Sequence, residues 1–365
     1  MKPSPSHPAI SRPLIIYSPE KPDLGLATKF LAILEILAVV AASTAAAFLA
    51  QKLVSPGLGE TLGLSSASAP DYLASSLAIG KQFALQYGAA IALILLLGAL
   101  RRRTAPRHYA LGASPLGAPR LVALGVITGL IASIPAQSIF LAKEFWPLGK
   151  DTLLWTVMES NPWDWTFWVF AATASFVLVP IVEELMWRSY VLGRLVEAFR
   201  PGAALLLSSL VFAGLHFQYL VSGDFLGYAT MASVLFAALV FGLVTLTSGS
   251  VLPAVIAHMI LNIPMNMEFG AARLALGLLT LAIFAVPVAR YAKLLGKAVF
   301  QPDTLVMACC IAALAGAGYA IAAQQPPLAL VGAGAGAVIL AGAVFMNSPW
   351  RARGGKAGSS DAPSA

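Results

Sequence analysis

The sequence predicts an all-α protein, a polytopic bundle of about ten transmembrane helices with both termini cytoplasmic. Three observations carry that reading. Hydrophobic residues make up 59% of the 365-residue chain, charged residues only 11%, and the mean hydropathy is +0.82. A soluble domain carries about 25% charged residues. The apolar residues fall in long runs separated by polar segments, and the 23 Lys and Arg residues gather in alternate segments.

A membrane span needs about 20 apolar residues. The candidate runs are Leu26–Ala50, Phe83–Leu100, Leu121–Ala142, Trp165–Val182, Ala203–Phe217, Gly227–Leu246, Leu252–Met265, Leu274–Ala289, Thr304–Ala323 and Leu328–Phe345. The fifth and seventh are short. With the N-terminal tail inside and the sides alternating, only Lys52, Lys81, Lys143, Lys150 and Arg273 fall outside. That is the bias of the positive-inside rule, so an even number of spans is expected. The sequence divides into a disordered cytoplasmic N-tail (1–25), N-terminal spans (26–160), a helical core with the polar motifs (161–270), C-terminal spans (271–350) and a disordered C-tail (351–365).

Composition also narrows the function. The net charge of +7 and pI near 9.5 mark topology and an anionic lipid surface, not nucleic acid. The tract Arg101-Arg102-Arg103 is read the same way. The first apolar run is too long for the core of a cleaved signal peptide, so it is read as a span. Cys309 and Cys310, adjacent in an apolar run, offer neither a disulfide framework nor a zinc cluster. The small-residue run Gly332–Gly336 suits close helix packing. It has no preceding strand and no Lys-Ser/Thr ending, so it is not a phosphate loop.

An ionisable side chain at membrane depth costs roughly 2.5–3.5 kcal/mol, so those present are where function is sought. Glu183 and Glu184 follow the apolar run 167–180, with Arg188 next. Glu184 and Arg188 are i,i+4 neighbours able to pair, which leaves Glu183 pointing elsewhere, toward a cavity. Taken alone, the group reads equally as a solvated helix-end cluster with Arg194, Glu197 and Arg200. His216 ends another apolar run, and Pro201-Gly202 marks a turn between two antiparallel helices. Glu183 and His216 then stand about 24–26 Å from that turn on opposite arms, at one level. This requires the fourth helix to continue past Arg188 and the fifth to extend beyond Phe217. His258 and Asn262 share one face of a later helix, where hydrogen-bonding glue between helices is the plainer reading. Glu35, on the first run, is a counter-charge or marks a water-filled groove.

Three spacings now stand in order: Glu183-Glu184-Leu-Met-Trp-Arg188 (E-E-x-x-x-R), Phe212-Ala-Gly-Leu-His216 (F-x-x-x-H) and His258-Met-Ile-Leu-Asn262 (H-x-x-x-N). Together with the lead-in Thr247–His258, they resemble the signatures of the CAAX-prenyl-protease and bacteriocin-processing family of intramembrane endopeptidases, which includes the Ras-converting enzyme. The resemblance covers roughly Trp165 to Met265.

It implies hydrolysis of a peptide bond in a membrane-anchored protein or peptide by an activated water. Glu183 would be the catalytic acid, His216 would hold or deprotonate the water, and His258 with Asn262 would stabilise the oxyanion. Glu184 and Arg188 would support them. A carboxylate in an apolar cavity is a competent general base near neutral pH. The cofactor stays open: this mechanism needs none, while Glu183, His216 and His258 would form the ligand set of a catalytic Zn2+ in a metalloendopeptidase. No H-E-x-x-H helix is present. Eukaryote-like members of the family trim prenylated proteins, and bacterial relatives process bacteriocins or C-terminal anchors. The Ala- and Gly-rich composition points to a bacterial inner (plasma) membrane. Two other classes compete. A proton-coupled transporter would use the same acids and histidines as a relay but predicts an internal repeat, and none is evident. An inactive scaffold would not need the set Glu183, His216, His258 and Asn262.

Overall fold

The structure, a computed structural model, describes residues 25–53, 70–102, 109–112, 114–142, 145, 161, 163–216, 219, 225–264 and 267–299. Every regular element among them is helical: α1 (Leu26–Leu53), α2 (Tyr72–Leu100), α3 (Ala118–Ala142), α4 (Trp165–Ala198), α5 (Pro201–Gly214), α6 (Phe225–Ser248), α7 (Leu252–Asn262), α8 (Met267–Ile283) and α9 (Ala285–Val299). Cys309, Cys310, Gly332–Gly336, the last two candidate runs and both tails lie outside the described residues.

Five helices, α1, α2, α3, α4 and α6, are long and apolar enough to cross a membrane; α8 and α9, bent by 86° at Phe284, would together make a sixth. The chain is an integral membrane protein. The described residues therefore hold fewer spans than the sequence count expects for them. The fifth and seventh runs form helices of 14 and 11 residues, short of the about 20 that a span needs. Hydropathy reports only that a segment avoids water, and both short helices do so largely inside protein. Ala203–Leu207 on α5 and Ala254 and Ala257 on α7 are buried. On α1 and α2, by contrast, Phe30, Leu34, Phe48, Leu77, Leu95 and Leu96 are exposed, as lipid-facing residues are.

The main core joins α1, α2, α4, α5 and α6 through Ile36, Val39, Tyr87, Trp187, Leu192, Leu205 and Leu246. A second contact seats α7 against α3. A Cβ on Gly129 would lie 2.9 Å from the backbone of Ala257, and one on Gly125 would lie 2.7 Å from Ile256. The spacing Gly125-x-x-x-Gly129 is what lets the two backbones approach so closely.

Local sequence explains how α7 is set. Gly249 closes α6 with φ +68°, a left-handed turn that glycine adopts without penalty. The Ser250 hydroxyl then accepts from the Leu252 amide at 3.2 Å, and Pro253 sits in the first turn, where its missing N–H is not needed. At the other end, Arg273 donates to the carbonyls of Leu261 (3.0 Å) and Ile263 (2.7 Å). Arg273 was expected among the loop charges of the outer side. It is instead buried on α8, where it caps α7.

α4 continues to Ala198 through a bend at Val177 and changes pitch twice, with π-helical stretches at Ala172–Phe176 and Leu185–Val191. Pro180 accounts for the first. It has no N–H and its ring crowds the preceding turn, so the helix widens there. Asp164 starts α4, accepting from the amides of Thr166 (2.8 Å) and Phe167 (3.1 Å). Bonds from Thr166 and the backbone hold its carboxyl below the usual carboxylate value.

Candidate active site

The two π-helical stretches of α4 bracket Glu183 and Glu184. π-bulges are rare and collect at functional sites. The adjacent acids diverge as the helix geometry requires. Glu184 is fully buried, whereas the Glu183 side chain is 15% exposed.

Glu184 is held from two directions. Its Oε2 pairs with Arg188 Nε at 3.1 Å, the ion pair the spacing predicts. Its Oε1 lies 2.7 Å from Nδ1 of His258 on α7. A carboxylate only accepts, so Nδ1 carries the proton and the ring is fixed with Nε2 turned to the other acid. That nitrogen stands 4.0 Å from Glu183 Oε2. The separation exceeds a hydrogen bond, and an oxygen about 2.8 Å from both atoms fits the gap.

The other Glu183 oxygen, Oε1, accepts from the Tyr87 hydroxyl of α2 at 3.3 Å. Tyr219 is a further neighbour: burial, reinforced by the charge of Glu183, pushes its phenol above the usual value. Its ring stacks on His216, with centroids 6.2 Å apart and planes at 8°.

Phe212 is the hub of the site. The Arg188 guanidinium lies over its face at 4.3 Å, and the rings of His216 and His258 approach it at 4.7 and 6.4 Å. The first position of F-x-x-x-H is thus a packing surface for the cation and both histidines. Among the described residues the two terminal nitrogens of Arg188 make no hydrogen bond, so the aromatic faces of Phe212 and Phe241 are their main compensation.

His216 departs from expectation in one respect. α5 ends at Gly214, not beyond Phe217, and His216 lies in the turn that follows. Its Nδ1 is 2.9 Å from the Phe212 carbonyl, which requires a proton on Nδ1 and makes Nε2 the basic nitrogen of the neutral ring. Asn262 closes the far side. Its amide donates to the Ser175 carbonyl at 3.2 Å, and the Ser175 hydroxyl donates to the Asn262 carbonyl at 2.9 Å. In π register, residue 180 would serve Ser175. Proline cannot, so the asparagine amide takes that acceptor while keeping a second N–H.

The structure therefore joins Glu184 directly to Arg188 and His258 and sets Glu183 4.0 Å from His258. It reaches His216 through Phe212 and Tyr219, and it ties Asn262 to the bulge of α4. Tyr87, Tyr219, Ser175 and Arg273 were missed from the sequence. The reading of Arg188 and Arg194 as a solvated face is corrected: both are buried. Glu35 is a counter-charge, pairing with Arg194 at 2.8 Å and Arg101 at 3.2 Å.

The zinc alternative gains no support from the described residues. Among the described residues no three His, Cys, Asp or Glu side chains gather as a metal-binding group.

Fold and site define an all-helical membrane protein with an acid–imidazole cluster held between helices. Residues 164–264 match the family model described as Type II CAAX prenyl endopeptidase Rce1-like. The match supports the CAAX-prenyl-protease and bacteriocin-processing family, and with it a protease. No curated protein and no solved structure matches the chain.

Proposed function

We propose that the protein is an intramembrane endopeptidase that hydrolyses a peptide bond in a membrane-associated protein or peptide. One observation carries the reading: a buried imidazole is held by one glutamate and aimed at its sequence neighbour, His258 Nδ1 to Glu184 at 2.7 Å and Nε2 to Glu183 at 4.0 Å.

Glu183 takes the proton from a water that attacks the scissile carbonyl, then returns it to the leaving amine. The basic Nε2 of His216 helps to hold that water. In the doubly protonated ring, His258 keeps Nδ1–H on Glu184 and offers Nε2–H to the oxyanion. The second N–H of Asn262 is the companion donor. Glu184 and Arg188 act through His258 and Phe212 and do not touch the substrate. Residues 161–270 form the catalytic core, with Tyr87 contributed by the N-terminal spans. Even topology with cytoplasmic termini is our reading of the charge bias, and a bacterial inner membrane our reading of the composition.

The test is cleavage of a quenched peptide by purified protein carrying Glu183→Gln, assayed with and without prolonged chelation. The variant should stay folded and lose activity about 10²–10⁴-fold, while chelation leaves the wild type active. Retained cleavage by the variant rejects Glu183 as base. Loss on chelation with recovery on adding zinc rejects the glutamate-only chemistry.

A further inference from the structure

The bend between α8 and α9 marks a surface that the catalytic reading does not use. α8 packs along α3, a helix long and apolar enough to cross the membrane, and α9 turns from α8 by 86°. With α8 upright beside α3, a turn of this size would lay α9 near the bilayer plane instead of completing a span. Its Tyr291, Leu294 and Leu295 pack against the main core, and the helix rests on α5.

Arg290, Lys293 and Lys297 are exposed. At 100° per residue they fall within about 60° of arc, in a row about 10 Å long, flanked by Leu294 and turned away from Tyr291 and Leu295. The segment 285–299 contains no acidic residue. Among the described residues none of the three cations forms an ion pair with a carboxylate. Val286 and Ile283, at the bend, are 64% and 66% exposed, as apolar groups entering the edge of an acyl layer would be.

We propose that the Arg290, Lys293 and Lys297 face of α9 is a binding surface for anionic phospholipid headgroups. Charge complementarity and the helix's attitude select this occupant. Cations without a carboxylate partner among the described residues, set along a helix of this attitude, meet the headgroup layer before they can meet a soluble partner. Each Lys or Arg near an anionic surface contributes enough that three together amount to a preference of up to about a hundredfold. The inference stands apart from proteolysis, and its test reads no cleavage.

The full chain is reconstituted in phosphatidylcholine vesicles with trace spin-labelled phosphatidylglycerol or spin-labelled phosphatidylcholine, and the fraction of each label immobilised by the protein is compared. Wild type should favour phosphatidylglycerol, and raised salt should weaken the preference. The variant R290Q/K293Q/K297Q should lose most of it, several-fold at least, whereas K52Q/K81Q should keep it. If the triple variant fails to fold, Lys293→Glu alone should still reduce the preference. Wild-type selectivity that survives in a folded triple variant, or in Lys293→Glu, overturns the proposal and returns the row to an acidic protein partner.

Discussion

Two clusters of opposite charge lie among the described helices, one partly exposed and one largely buried, and they differ in one residue type. Near one end of α4, Glu35 and Glu197 meet Arg101 and Arg194, with pairs at 2.8, 3.0, 3.1 and 3.2 Å. Farther along the same helix, Glu183 and Glu184 meet Arg188 and His258. The first cluster is a closed exchange of fixed charges, because guanidinium does not give up its proton. It ties α1 and α2 to α4 and has no proton to move. The second replaces one guanidinium with an imidazole, which can gain or lose a proton near neutral pH. It also leaves the outer acid, Glu183, bonded to a phenol rather than to a cation. The proposed chemistry uses the cluster whose charge balance is incomplete.

Removing one arginine from each cluster gives the largest expected separation between them. Arg188→Ala should destabilise the protein by about 3–5 kcal/mol, because Glu184 then stays buried without its cation. Arg194→Ala should cost about 1–2 kcal/mol, since Glu35 and Glu197 both retain Arg101 and are partly exposed. Denaturation in matched detergent checks the order. Equal losses would mean that the two clusters are energetically alike and that the contrast drawn here is wrong.

The next effect is on rate. Asn262→Ala should lower turnover about 10²–10³-fold if its second N–H meets the oxyanion. Arg101→Gln, in the closed cluster, should leave turnover unchanged once folded protein is matched. An Asn262 variant with wild-type turnover would reduce that residue to a link between α7 and the bulge at Ser175.

How much of this was legible follows from the range of each interaction. The Glu184–Arg188 pair and the continuation of α4 past Arg188 lie within one helix, so spacing alone gave them. The three motifs named the candidate residues, yet the contact that organises them, His258 with Glu184, joins residues 74 apart in sequence. No local pattern encodes such a pairing. The π-helical stretches were equally hidden, although Pro180 was their one visible signal. The span count exceeds what the described helices show because an 11-residue helix sheltered by α3 and α6 has the same hydropathy as part of a lipid-crossing run. Tyr87 left no signal at all. A tyrosine in an apolar helix is ordinary until another helix brings a carboxylate to it.

Tyr87 supplies the smallest of these effects and the finest division between the clusters. It donates to Glu183 Oε1 at 3.3 Å from outside the segment 164–264 that matches the family. Its role is to hold the carboxylate so that Oε2 faces His258. Tyr87→Phe keeps the ring and its edge contact with Phe83 while removing only the donor. A long hydrogen bond that orients a base without touching the substrate should be worth about tenfold in kcat, with KM unchanged. A purely structural tyrosine would instead lower the melting temperature and leave kcat per folded molecule intact. Steady-state kinetics beside a thermal melt separates the two outcomes. A fall in stability without a fall in kcat would place Tyr87 with the closed cluster, as packing between helices and not part of the reacting site.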